Sequence, residues 1–129
     1  MARKITYWVC TGLIAALSLF AGYSYVSGSP QAVQGFAHVG YPAQLRVLLG
    51  IAKVLGAITL LVPGIPTLKE WAYAGFTFAW IAAIVAHYKA GDGPTALAPL
   101  VLLILLAISY VTRPADRQLP AIATTPARP

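Results

Sequence analysis

Apolar positions run along this chain in four long stretches, Ile5 to Val26, Leu45 to Val62, Trp71 to Tyr88 and Leu97 to Thr112, and polar residues gather between them. A hydrocarbon layer of about 30 Å needs roughly 20 helical residues at about 1.5 Å of rise each. The first stretch is ample and the next two fit. The fourth is short, and calls for local thinning of the bilayer or support from neighbouring helices. The pattern predicts an all-α membrane protein, a bundle of four transmembrane helices.

Stop and start signals mark the ends of these stretches. Ser29-Pro30 reads as an N-cap followed by proline at the first helical position. Behind it Val33, Phe36, Ala37 and Gly40 recur at helical spacing, which predicts a short interfacial helix between the first two spans. Pro63-Gly64-Ile65-Pro66 is a forced turn, and Thr67-Leu68-Lys69-Glu70 has the spacing of a capping box opening the third span. Gly91-Asp92-Gly93-Pro94 closes that span. The expected organisation is one membrane domain over residues 1–113 and a proline-rich, disordered cytoplasmic tail over 114–129.

Small residues predict which faces meet, because lipid tails remove the hydrophobic drive between helices. Thr11, Ala15, Ser18, Gly22 and Tyr25 share one face of the first span, and Gly50, Gly56 and Ala57 one face of the second. On the third, Ala72, Gly75, Ala79, Ala82, Ala83 and Ala86 form a stripe, with Thr77, Ile81, Ile84 and Val85 opposite and suited to lipid. The fourth lacks polar punctuation and reads as the most lipid-exposed.

Composition agrees. Of 129 residues 59% are apolar and only 9% charged, against about 25% charged in a soluble domain. The net charge of +6 comes from nine basic residues scattered among apolar runs, without the basic stripe that nucleic acid requires. An even number of spans puts Arg3, Lys4, Lys69, Arg113, Arg117 and Arg128 on one side and Arg46 and Lys89 on the other, so both termini are expected in the cytoplasm. Two aromatic belts fit the same topology: Tyr7, Trp8, Trp71, Tyr73 and Tyr110, and Tyr23, Tyr25, Tyr41 and Tyr88. Cleavage of the first stretch as a signal peptide is the competing reading, disfavoured by its length and by the three stretches that follow. Cys10 is the only cysteine, which excludes an internal disulfide and a thiolate cluster.

Candidate chemistry centres on Lys53, a cation in mid-span, where insertion costs about 2.5 to 3.5 kcal/mol. Its register with Gly50, Gly56 and Ala57 points it into the bundle. It is either a structural lysine bonded to carbonyls, hydroxyls or water, or a partner for an anion or polar headgroup. His87 lies near the outer end of the third span, and Trp80 shares its face. His38 could approach the same mouth, but two histidines without a nearby carboxylate or thiolate make a weak metal site. No nucleophile–base pair, metal cluster or dithiol is present, so an enzyme acting alone is not expected.

Several segments in order resemble the DoxX-like family of small bacterial membrane proteins: Gly35 to Pro42, Leu49 to Ala57, Pro63-Gly64, and Leu68 to Gly75. The likeness runs from about Lys4 to Arg113. It implies a four-helix fold in the bacterial cytoplasmic (inner) membrane, and relatives in the wider DoxX group include a subunit of a complex passing electrons from thiosulfate to quinone. Relatives often carry a lysine near the end of the first span, where this chain reads Gly22-Tyr23-Ser24-Tyr25, so a function needing two intramembrane lysines is not implied here.

Together these readings favour an accessory or ligand-binding subunit without independent catalysis, conceivably part of a membrane oxidoreductase. Lys53, His87, Trp80 and Tyr25 would line a small pocket in its outer half for a quinone-like molecule or a lipid headgroup. No covalent cofactor and no metal are expected. The partners would be the lipid bilayer and a membrane or redox protein, with oligomers allowed. A small transporter or ion-conducting bundle and a structural or assembly subunit are the alternatives.

Overall fold

The computed structural model describes residues 1–120. Five α-helices follow in order: α1 (Ala2–Ser27), α2 (Pro30–His38), α3 (Ala43–Leu61), α4 (Pro66–Lys89) and α5 (Leu97–Val111). Short 3-10 turns occupy Gly93–Ala96 and Ala115–Arg117, and there is no strand among the described residues. The four longer helices form a ring in which α1 packs on α3 and α5, and α4 on the same two neighbours. Its terminal end carries the N-terminus, the α3–α4 turn and the residues after α5. Its far end carries α2 and the α4–α5 connection.

Three segments are long and apolar enough to cross a membrane: α1, α3 and Gly93–Val111. The fourth long helix, α4, has the length at 24 residues, but tryptophan, tyrosine, histidine and charged side chains dilute its hydropathy.

The sequence sets the tightest contact. A Cβ on Gly22 would lie 2.8 Å from the Gly50 carbonyl oxygen, and one on Gly50 would lie 2.9 Å from that of Gly22. Two glycines thus let the backbones of α1 and α3 nearly touch, the means by which helices associate where water supplies no drive. The predicted α1 face follows suit, with Thr11, Ala15, Ser18 and Gly22 all buried. Gly56 receives the ring of Phe76 from α4.

The inward face of α4 is offset from the expected small stripe, although Ile81 and Val85 are exposed as expected and Ala72 packs against the core. Tyr73, Phe76 and Trp80 are buried, whereas Gly75 faces open space. Aromatic side chains reach across a gap that small ones would leave, so the bulky face fills the bundle centre with Ile14, Leu60 and Leu106. α5 buries Pro99, Leu106 and Ser109, and its apolar stretch is 17% buried, equal to α3 and well under the 39% of α1.

The helix starts divide. Ser29 caps α2, its hydroxyl accepting from the Ala32 amide at 3.3 Å, with Pro30 at the first position. No capping box opens α4: the helix begins at Pro66, two residues before a Thr67 cap would start it, and Ile65, at φ 47°, precedes it without a side-chain cap. A β-branched residue in the left-handed region is strained, and it is wedged between Gly64 and Pro66. Lys69 and Glu70, free of capping, bond elsewhere.

The start of the tail also departs from the expected disorder. Arg117 is buried, and its guanidinium donates to the Leu60 carbonyl at 2.9 Å and the Leu61 carbonyl at 3.3 Å. Those carbonyls end α3 and have no intrahelical partner, so a cation there meets both an unmet acceptor and the negative end of the helix dipole. The remainder of the expected tail, 121–129, lies outside the described residues.

Candidate functional site

Lys53 projects from the middle of α3, three residues after the Gly50 crossing. That crossing brings Tyr25 of α1 alongside, since the Tyr25 Cβ is 2.8 Å from where a Gly50 Cβ would stand. From α4 comes Trp80, fixed by stacking on Phe76 at 5.0 Å between ring centroids. The Lys53 Nζ lies 5.8 Å from the Tyr25 ring centroid and 5.5 Å from that of Trp80. Both distances fall within cation–π range. Three residues that the sequence singled out, on three different helices, therefore converge.

Among the described residues neither a hydrogen bond nor an ion pair engages this ammonium, which leaves the two aromatic rings as its polar company. Of the structural reading, a lysine bonded to carbonyls, hydroxyls or water, the geometry shows no carbonyl or hydroxyl bond among the described residues. Nor is the nitrogen sealed off, because no buried side-chain nitrogen or oxygen among the described residues lacks a partner. Its opening is a groove of about 340 Å³ between α3 and α4, which Lys53 lines with Leu49, Ala52, Gly56, Thr59, Gly75 and Ala79 among others. The groove runs from Leu49 and Ala79, just beyond mid-helix, down to Leu68 and Trp71, so most of it lies toward the terminal end of the outer-half pocket that was expected. Leu55 and Trp71 at its rim are exposed on the surface of the bundle.

His87, the fourth predicted lining residue, is bonded elsewhere. Its Nδ1 lies 2.7 Å from one carboxylate oxygen of Asp92, and the Nε2 of His38 lies 2.6 Å from the other. Hydrogen bonds from the two histidines, His87 first, hold the Asp92 carboxyl below the usual aspartate range. Sequence reasoning paired the histidines but left out Asp92, because loop position hides that the turn at Gly91 brings its carboxylate back over the end of α4. Among the described residues no group of histidine, cysteine and acidic side chains has metal-holding geometry.

The terminal end holds a polar cluster that the sequence did not reveal. Arg113 pairs with Glu70 at 2.5 Å and lies 3.8 Å over the Tyr110 ring, and the Tyr110 hydroxyl donates to Glu70 at 3.0 Å. Deeper in, the Ser109 hydroxyl lies 2.6 Å from that of Thr11 and 2.7 Å from that of Tyr73. Lys69 donates to the Thr59 carbonyl at 2.6 Å and to that of Val62. Arg3 reaches the Val111 and Arg113 carbonyls, and Arg46 the Tyr25 carbonyl. Most of the basic residues outside Lys53 thus serve carbonyls at helix ends.

These arrangements contain no nucleophile with an adjacent base. They offer one hydrogen-bond-donating cation between aromatic faces, opening on an apolar groove. The DoxX-like family model matches residues 9–109 of the chain. No curated protein and no solved structure gives a significant match.

Proposed function

The chain belongs to the DoxX-like family and is a transmembrane protein, and from that premise we propose that it is an accessory, ligand-binding membrane subunit without independent catalysis. Lys53 would donate to the polar head of a lipid-soluble molecule, a quinone-like carbonyl or a lipid headgroup oxygen, with Tyr25 and Trp80 flanking that head. The hydrocarbon part would lie in the groove between α3 and α4.

The lone ammonium carries this reading. A mid-membrane charge costs about 2.5 to 3.5 kcal/mol. Cation–π contacts return about 0.5 to 2 kcal/mol, and no hydrogen bond or ion pair within the described chain returns more. An oxygen acceptor brought by a ligand closes that deficit. The groove supports entry sideways from lipid, which suits an amphiphile better than a water-borne solute. His87, engaged by Asp92, has no part in binding the head.

In the same reading α4 is a fourth span and α2 lies in the interface. Both termini face the cytoplasm of a bacterial inner membrane, residues 1–113 make the membrane domain, and the physiological partner is a membrane or redox protein. The charge bias supports this, with Arg3, Lys4, Lys69, Arg113 and Arg117 at the terminal end against Arg46 and Lys89 at the far end.

Full-length protein in nanodiscs tests the reading, with a short-chain benzoquinone and an anionic phospholipid as separate probes. Lys53→Met should weaken binding of one of them at least about tenfold, since a hydrogen bond to a charged group contributes roughly 1.5 to 3 kcal/mol. Equal binding of both probes by wild type and variant would end the proposal.

A further inference from the structure

We propose that α2 is a lid across the far end of the Lys53 site, latched shut by Asp92, which bridges His38 of α2 to His87 of α4. The guarded site is that of the preceding proposal; the latch stands on its own geometry.

The lid covers through one contact. Phe36 of α2 meets the Tyr25 ring edge-on, 4.9 Å between centroids, and Tyr25 in turn flanks the Lys53 ammonium. Moving α2 away would bare Tyr25, and with it the route to Lys53 from the far-side water. Little apolar burial holds α2 in place, because Ala32 is its one buried residue. Its ends are left-handed glycine turns, Gly28 and Gly40 at φ of 72° and 80°, each closed by backbone hydrogen bonds.

The latch supplies what apolar packing does not. An ionised carboxylate only accepts hydrogen bonds, so His38 Nε2–H donates to one oxygen and His87 Nδ1–H to the other. The bridge therefore depends on the Asp92 carboxylate, the one group that both rings share. Because Asp92 sits on the α4–α5 connection, the latch ties the lid to the helix that carries Trp80. The site then has two doors of different kind, the α3–α4 groove open to lipid and the far end closed to water.

The test uses full-length W8F/W71F protein in nanodiscs, leaving Trp80 as the only tryptophan. Asp92→Asn should raise hydrogen exchange across residues 30–41 roughly two- to fivefold, the loss expected for a solvent-exposed charged pair. It should also increase quenching of Trp80 by aqueous acrylamide, while exchange in α1 and α3 stays at its wild-type rate. Where Asp92→Asn also loosens α1 and α3, His38→Ala, which removes only an exposed ring, takes its place with the same expectation. Wild-type exchange in α2 and wild-type quenching in the variant that keeps α1 and α3 intact would overturn the lid. Such a result leaves the Lys53 reading standing, since that reading fails only on unchanged probe binding in Lys53→Met.

Discussion

Ser109 shows how much rests on single hydroxyls in this bundle. It is fully buried and shared between Thr11 of α1 and Tyr73 of α4, so one oxygen joins three helices. Ser109→Ala strips a partner from both, and should lower stability by about 1 kcal/mol, between the roughly 0.6 kcal/mol typical inside membranes and the cost of a buried unmet hydroxyl. Reversible unfolding in mixed micelles measures it, and a cycle with Thr11→Ala should show that the two losses are not additive. Nothing in the local pattern flagged Ser109, because its partners are 98 and 36 residues away. Lys53 was legible for the opposite reason, since a charge inside an apolar run stands out without knowledge of its neighbours. Arg113 and Arg117 fell between these cases. Their charge was plain, but burial over tyrosine and tryptophan rings depends on how α1, α4 and α5 meet.

At the scale of helices, the α1 face was readable because Thr11, Ala15, Ser18 and Gly22 repeat at intervals of three and four, which stack on one side of a helix. The α4 face was not. Its small stripe and its aromatic row have the same period, and only the width of the gap left by α1, α3 and α5 decides which turns inward. Glycines give a direct check on the packing. Gly22→Ala and Gly50→Ala each place a Cβ under 3 Å from a backbone oxygen that cannot move without moving its helix. Each should cost about 1 to 3 kcal/mol, the range for overpacking. Gly12→Ala and Gly75→Ala meet nothing within 4 Å and should be neutral or slightly stabilising, because alanine favours helix. Unfolding of the four variants under one condition separates the two classes.

For the molecule as a whole, the hydrophobic pattern reports element order well, because helix length and bilayer thickness share one scale. It does not report where a cavity opens. The groove that Lys53 lines extends from Leu49 and Ala79 toward Leu68 and Trp71, a course set by how α3 and α4 pack and carried by neither helix's own pattern. Tyr25, Lys53 and Trp80 converge, and the functional account depends on that convergence holding the cation within reach of lipid and away from water. Competitive labelling of the lysines in nanodiscs, which leave both membrane faces open to water, resolved by peptide mass spectrometry, measures it. A lipid-soluble amine reagent should modify Lys53, while a charged, water-soluble one modifies the exposed Lys4 and Lys89 and spares Lys53. Labelling of Lys53 by the charged reagent as fast as Lys89 would contradict the account.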